Sequence, residues 1–416
     1  MKKVLILTYN FPPNNSVGAQ RPSSWDKYFP RFGISTVTFT YDWGEIDPST
    51  IKGEVVQVKC PHSEVDETVG GVKKILRKLK TVAALLLRFK SSRFDDKFEI
   101  LTAADEYLKV NPVDYIIATG EPFILFKYAS ILSENHGTPW FADYRDDWID
   151  GHIPVVPNAF LNRWVLSIEA KQEQKYLANA AGVVTVSKTL LDQIQKRLPS
   201  KSGCVIENGA DLELYSGTVS PYPANNFIIA YTGILYDLPY FDSFFEGFLT
   251  FLEQVASTEN VKAYFIGTEG YQNQATRKLD ELCAKCPENI VLLPRKRPEE
   301  IAGYQAHAHV LLNLIAGDPS MGLIGAKSYN YAIAKRPMVT IPHVPNRYSP
   351  FFPGRDIQTI TLDSTEVTNV LKHYYQCHLD GRSISTSLTE QEAYRLSREY
   401  NAEKLVAFIQ EKSRPK

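Results

Sequence analysis

The feature that most constrains this chain is a set of short, almost wholly apolar runs that recur between longer stretches of helical pattern. The first series lies at residues 4–8, 37–40, 115–118, 140–142, 183–186 and 204–206. A second lies at 228–232, 263–266, 290–293, 310–314, 338–341 and 357–360. A strand that is apolar at nearly every position is buried on both faces, as in a parallel sheet covered by helices on each side. Strands alternating with helices imply βαβ units and an open, doubly wound sheet. The two series meet at residues 211–226, where Pro221, Pro223 and the pair Asn225 and Asn226 leave nothing that reads as an element interior. The expected fold is therefore α/β, with two Rossmann-like doubly wound domains at 1–210 and 226–390. A terminal helix at 391–416 carries Tyr394, Leu396, Tyr400, Leu405 and Phe408 as its apolar positions. A length of 416 residues suits two domains of ordinary size.

Bulk properties exclude several function classes. The chain is 44% hydrophobic and 22% charged, an ordinary balance for a protein with sizeable cores. Its net charge of −1 supplies no global field for nucleic acid, so no nucleic-acid partner is expected. Lys2 and Lys3 precede an apolar run, but Val4 to Leu7 is shorter than the roughly 7–15 residues of a secretory core. That run reads as a first strand. No window reaches the about 20 apolar residues of a membrane span. Five cysteines, an odd count without framework spacing, fit a reducing cytoplasm. Cys283 and Cys286 form a single CxxC, and tetrahedral zinc needs four ligands, so no metal site is expected.

Two segments carry candidate chemistry in the first half. The first strand opens into a loop from Asn10 to Pro22 that contains Gly18 and Arg21. Pro22 suits a first helical turn, and a glycine-bearing loop at a helix N-terminus offers N–H groups to an anionic oxygen. Arg21 adds a planar charged donor. The second segment, residues 140–148, places Asp143, Arg145 and Asp146 just after a buried run, at a sheet's carboxyl edge. Charges there are costly to desolvate unless paired or in use. An aspartate can take a proton from an acceptor hydroxyl, and Arg145 can grip a carboxylate or phosphate. Arg145 and an aspartate can equally form a structural ion pair. His152 is a candidate base or a solvated loop residue. Neither half carries a GxGxxG loop, which excludes a dinucleotide oxidoreductase.

The loop at 9–22 resembles the opening of family 4-type glycosyltransferases of the GT-B fold. Residues 143–148 are similar to the D-x-R-D-x-W segment of one branch of that group. Segments 183–187, 207–211, 231–233 and 322–337 fall in the expected order, so the resemblance covers nearly the whole chain. It implies two domains facing a cleft, the first binding acceptor and the second a nucleotide-sugar donor, with helix 391–416 crossing back. The implied reaction moves a sugar from a nucleoside-diphosphate donor to a hydroxyl of a glycan or lipid-linked glycan. Configuration is retained, and no cofactor or catalytic metal is needed. Gly233 is implied to let the diphosphate approach the backbone. Gly322, Leu323, Lys327 and Asn330 are implied to line the donor site, with Arg295 supplying charge or meeting the base.

The chain also departs from that pattern. Relatives often carry two glutamates where Gly322 and Asn330 stand, and a basic residue soon after Gly233, whereas 234–239 has Asp237 and no Lys or Arg. An asparagine accepts a hydroxyl hydrogen bond without charge assistance. These departures leave an alternative: a catalytically silent GT-B-like subunit that binds glycan or a partner enzyme.

One further stretch stands out, residues 72–93. Val72, Ile75, Leu76, Leu79, Val82, Ala83 and Leu86 recur at helical spacing. Lys73, Lys74, Arg77, Lys78 and Lys80 lie off that stripe. A basic amphipathic helix suits an anionic membrane surface, which would make the protein peripheral at an inner membrane face. The same pattern also fits a helix packed on its own sheet with a solvated basic back.

Overall fold

The computed structural model describes residues 1–59, 97–149, 158–236, 241–270, 272–315, 324–341, 357–359, 363–382 and 386–413. The basic helix at 72–93, His152, Asp237, Gly322 and Leu323 lie outside the described residues. The chain divides into two compact units, Met1–Glu207 with Asn401–Lys416, and Asn208–Tyr400.

The first unit runs β1 (Lys2–Leu7), α1 (Val17–Tyr28), β2 (Ile34–Tyr41), β3 (Glu54–Val58), α2 (Phe98–Val110), β4 (Tyr115–Gly120), α3 (Ile124–His136), β5 (Trp140–Tyr144), α4 (Ala159–Tyr176), β6 (Gly182–Thr185), α5 (Lys188–Arg197) and β7 (Gly203–Val205). Its seven strands lie in the order β3-β2-β1-β4-β5-β6-β7, and every pairing is parallel. The order reverses between β1 and β4. Crossovers leave that point in opposite directions, so the loops there part and leave a crevice at the carboxyl edge. The edge strand β3, EVVQV, is partly exposed along its length and was not among the apolar runs.

The second unit runs β8 (Phe227–Thr232), α6 (Phe241–Gln254), β9 (Val261–Ile266), α7 (Gln274–Lys285), β10 (Ile290–Leu293), α8 (Pro298–His307), β11 (Val310–Leu314), α9 (Ala326–Ile333), β12 (Met338–Ile341), β13 (Ile357–Thr359), α10 (Ser364–Leu379) and α11 (Glu390–Arg395). Its sheet order is β10-β9-β8-β11-β12-β13, with the same reversal, now between β8 and β11. Successive side chains of a strand point to opposite faces. Accordingly Phe227, Ile229 and Tyr231 enter one core with Phe241, Phe244, Phe248 and Phe251 of α6. Ile228 and Ala230 enter the other, against Tyr329, Tyr331, Ala332 and Ile333 of α9.

The last helix, α12 (Arg398–Lys412), begins in the second unit and continues into the first. Its Leu405, Val406, Phe408 and Ile409 share a core with Val4, Ile6, Phe141 and Val184. Gly182 makes room for this contact, because a Cβ there would meet the Phe408 ring at 2.8 Å. Among the described residues no helix is long and apolar enough to cross a membrane.

Candidate functional site

In the first unit, the carboxyl ends of β1, β4 and β5 bring the loop-borne groups together. Asp143 is the fourth residue of β5 and is wholly buried. Its Oδ1 accepts from Arg21 Nη2 at 2.8 Å and Nε at 3.0 Å, and its Oδ2 accepts from Thr119 Oγ1 at 2.8 Å. Arg21, 6% exposed, also donates from Nη1 to the carbonyls of Ile206 and Glu207 at 2.8 and 3.1 Å. Arg21 and Asp143 thus engage each other, tying α1 to β5 and to the chain after β7. Removing one partner of such a pair strands the other charge in the core. Asp143→Ala is therefore expected to cost about 3–5 kcal/mol of stability, read as a lowered urea midpoint. A variant that unfolds with the wild type would show that the pair holds nothing.

Two residues further on, the geometry opens. Arg145 is partly exposed and donates from Nε to the Gly120 carbonyl at 2.6 Å and from Nη2 to the Glu121 carbonyl at 3.3 Å. Its Nη1 lies over Gly18, where a Cβ would meet it at 2.7 Å and Asn10 Nδ2 at 2.8 Å. A side chain at position 18 would have to displace the ends of the Arg145 and Asn10 side chains. Burial lowers the Arg145 pKa, opposed by the nearby Asp143 and Asp146 carboxylates. Asp146 is exposed and makes no hydrogen bond among the described residues. Burial among its neighbours pushes its carboxyl up, with Arg145 pulling the other way. Because the carboxyl reaches water, solvent screens part of that push.

The segment is anchored by Trp148 at its own end and by Asp147, Glu169, Glu173 and Arg197, which the sequence pattern does not single out. Asp147 and Glu173 accept from Arg197, each at 2.8 Å, and Tyr144 Oη donates to Glu173 at 3.0 Å. Trp148 Nε1 donates to Glu169 at 2.7 Å, and its ring stacks on Phe123 with centroids 5.2 Å apart. Fixed on both sides by Asp143 and Asp147, the chain presents Arg145 and Asp146 from a rigid support.

In the second unit, the carboxyl end of β8 meets the start of α9. Gly233 ends β8 with φ +96, a conformation that favours glycine. Its N–H is spent on the Ile266 carbonyl at 2.7 Å, so only its missing side chain is open to a ligand. That space is occupied on one side by Lys327, the second residue of α9, whose Nζ would lie 3.8 Å from a Cβ at Gly233. The ammonium sits 3.7 Å from the Tyr231 ring centroid. It has no hydrogen-bond or ion-pair partner among the described residues, and burial pulls its pKa down to about 7. Tyr331 Oη accepts from the Thr232 N–H at 3.1 Å, which pins α9 to β8. Asn313 Nδ2 donates to Ser328 Oγ at 3.2 Å and holds the helix start to β11.

The remaining donor-site candidates fall nearby in the same unit. Asn330, partly buried, follows Lys327 by three positions and so shares its helix face. Arg295 is exposed just after β10, its own N–H bonded to Glu269 at 2.6 Å. A lysine with no ion-pair partner among the described residues, a glycine and a helix N-terminus thus converge at the strand-order reversal of the second sheet, where an anionic group finds N–H donors and positive charge.

No protein-family model matches the chain, and no curated protein matches it in sequence. Solved structures match throughout its length. A sucrose-phosphate synthase from Thermosynechococcus elongatus is 14% identical with a TM-score of 0.63, the alignment covering 99% of each chain. The chain has the GT-B fold. The HepE protein of Anabaena, solved with UDP-glucose, is 12% identical with a TM-score of 0.62 over 99% of this chain and 100% of that one. The trehalose-6-phosphate synthase OtsA is 11% identical with a TM-score of 0.63, over 98% and 99%. At such identities the likeness shows the GT-B fold, and function must be argued from the sites.

Proposed function

We propose that this GT-B protein is a glycosyltransferase that moves a sugar from a nucleoside-diphosphate donor to a hydroxyl of a glycan or lipid-linked glycan, with retention of configuration. The observation that carries this reading is Lys327. A half-buried ammonium with no counter-charge among the described residues is unfavourable unless an anion completes it, and this one faces Gly233 at a helix start. It fills the place of the basic residue that 234–239 lacks. The diphosphate of the donor lies there, Asn330 meets the ribose, and Arg295 meets the base. The solved HepE complex with UDP-glucose supports a nucleotide sugar as the ligand. In the first unit, Asp146 accepts the proton of the acceptor hydroxyl and Arg145 orients the acceptor. Stabilising the leaving diphosphate with fixed positive charge supplies the larger part of the catalysis.

A thermal-shift series with UDP, GDP, ADP, dTDP and their sugars tests the reading. At ligand near 100 times Kd the best species is expected to stabilise the fold by about 2.7 kcal/mol. If none of them moves the melting point, the transferase reading gives way to that of a silent glycan-binding subunit.

The acceptor's location is open to a separate test through residues 72–93, where the sequence predicts a basic helix. Lysines and arginines near an anionic bilayer contribute about 1 kcal/mol each, screened over about 8 Å at physiological salt. We expect co-sedimentation with phosphatidylserine vesicles at low salt and release at high salt. A variant with Lys73, Lys74, Arg77 and Lys78 changed to Glu should not sediment. Indifference of the wild type at low salt would leave the helix a scaffold element.

A further inference from the structure

Beside the Arg145–Asp146 segment, the carboxyl edge of the first sheet carries three aromatic rings that nothing above uses. Tyr9 follows β1, Tyr41 ends β2, and Trp43 follows β2. Their centroids lie 5.3 Å (Tyr9–Tyr41), 5.3 Å (Tyr9–Trp43) and 5.0 Å (Tyr41–Trp43) apart. All three are half-buried, whereas most large aromatics of this unit, such as Trp25, Tyr28, Phe39 and Trp140, are sealed in the core. The cluster is fixed in place. Trp43 Nε1 donates to the Tyr9 carbonyl at 2.8 Å, and Thr40 Oγ1 donates to the same carbonyl at 3.0 Å. Lys97 Nζ sits 4.9 Å from the Tyr9 ring centroid. Polar groups rim it. Asp42 Oδ1 accepts from the Gly44 N–H at 3.0 Å, and Gln57 Nε2 donates to the Gly44 carbonyl at 2.8 Å.

A rigid, partly exposed aromatic cluster with a polar rim matches the two faces of a sugar ring, whose C–H bonds stack on an aromatic face while its hydroxyls reach polar neighbours. Its position fixes what kind of acceptor can use it. In the order β2-β1-β4-β5 the rings after β2 stand three strand spacings from the residues after β5. At about 4.8 Å per spacing that is about 14 Å, wider than one hexose ring. The geometry points to an oligosaccharide acceptor: its reacting hydroxyl lies at Asp146, and a sugar residue further along the chain stacks on Tyr41 and Trp43. This inference rests on the transferase reading and narrows its acceptor from any hydroxyl to the end of a glycan of at least two residues.

The test is a glycan array of mono-, di-, tri- and tetrasaccharides probed with the full-length protein, with hits titrated in solution. Longer glycans are expected to bind and their component monosaccharides to fail. Tyr41→Ala and Trp43→Ala are each expected to weaken the hit by about tenfold, with nucleoside-diphosphate affinity unchanged. If Trp43→Ala unfolds, the outcome is read from Tyr41→Ala. A blank array, or glycan binding indifferent to both rings, overturns the inference. So does loss of nucleotide affinity in Trp43→Ala, which would assign the rings to a nucleobase. A protein that shifts with nucleoside diphosphates yet ignores every glycan sinks this inference alone. One that binds glycans through these rings but no nucleotide sinks the transferase reading instead.

Discussion

Asp146→Asn is expected to lower turnover by about 10²–10⁴-fold, the usual contribution of a positioned proton acceptor, with nucleotide affinity and melting temperature unchanged. The expectation follows from what separates it from its neighbours. Asp143 is wholly buried and its oxygens are taken by Arg21 and Thr119, and Asp147 is bound to Arg197. Asp146 alone of the three is exposed and without a hydrogen bond among the described residues. The protein packed around it pushes its carboxyl up, an effect that solvent screens in part, and this makes it a somewhat better base than an ordinary aspartate. The pH dependence follows with a definite sign. A base must be deprotonated to act, so activity falls as pH drops through its pKa, and a raised pKa moves that acid limb upward. Asp146→Asn should abolish the limb along with most of the rate. Paired assays of Asp143→Asn and Asp146→Asn separate the roles, the first losing stability and the second losing rate. Full turnover in Asp146→Asn would remove the segment from the chemistry.

Legibility differed sharply between the fold and the sites. The strands at 310–314 and 338–341 were visible residue for residue, because burial on both faces leaves an apolar run with few exceptions. The edge strand β3 was not, because one open side lets Glu54 and Gln57 into it and the run dissolves. At the sites, sequence showed which residues carried charge after a buried strand but not which charges cancelled. Arg21 and Asp143 are 122 positions apart, and only the sheet order brings them to 2.8 Å. The same holds for Glu173 and Arg197, which support Asp147 from separate helices. Lys327 was named only as a residue the family resemblance implies. Its meeting with Tyr231 and Gly233 needs the β8–β11 adjacency, which no local pattern encodes. The missing basic residue after Gly233 read as a defect in one segment, while on the proposed reading the charge comes from another.

Lys327 also carries the second large effect, on donor affinity. Lys327→Met is expected to weaken nucleoside-diphosphate binding by about 10–150-fold, the equivalent of the roughly 1.5–3 kcal/mol of a charge-assisted hydrogen bond. The free ammonium titrates near 7, held down by burial beside Tyr231. A bound diphosphate stabilises the charged form and raises that pKa. Below pH 7 the free protein already carries the proton, and the lysine contributes fully. Above it, binding must take up a proton from solution, so affinity falls by up to about tenfold per pH unit until the pKa of the complex is passed. The useful window is about pH 8 to 9, where a phosphate with a second pKa near 6 is almost fully ionised and cannot mimic the effect. Calorimetric titration in two buffers of different ionisation enthalpy should report proton uptake in wild type and none in Lys327→Met. Lys327→Arg keeps a charge that does not titrate in this range, so its affinity should be lower than wild type at pH 7 and flat to pH 9. A wild type whose affinity is as flat as that of Lys327→Met would place the diphosphate away from Gly233 and α9.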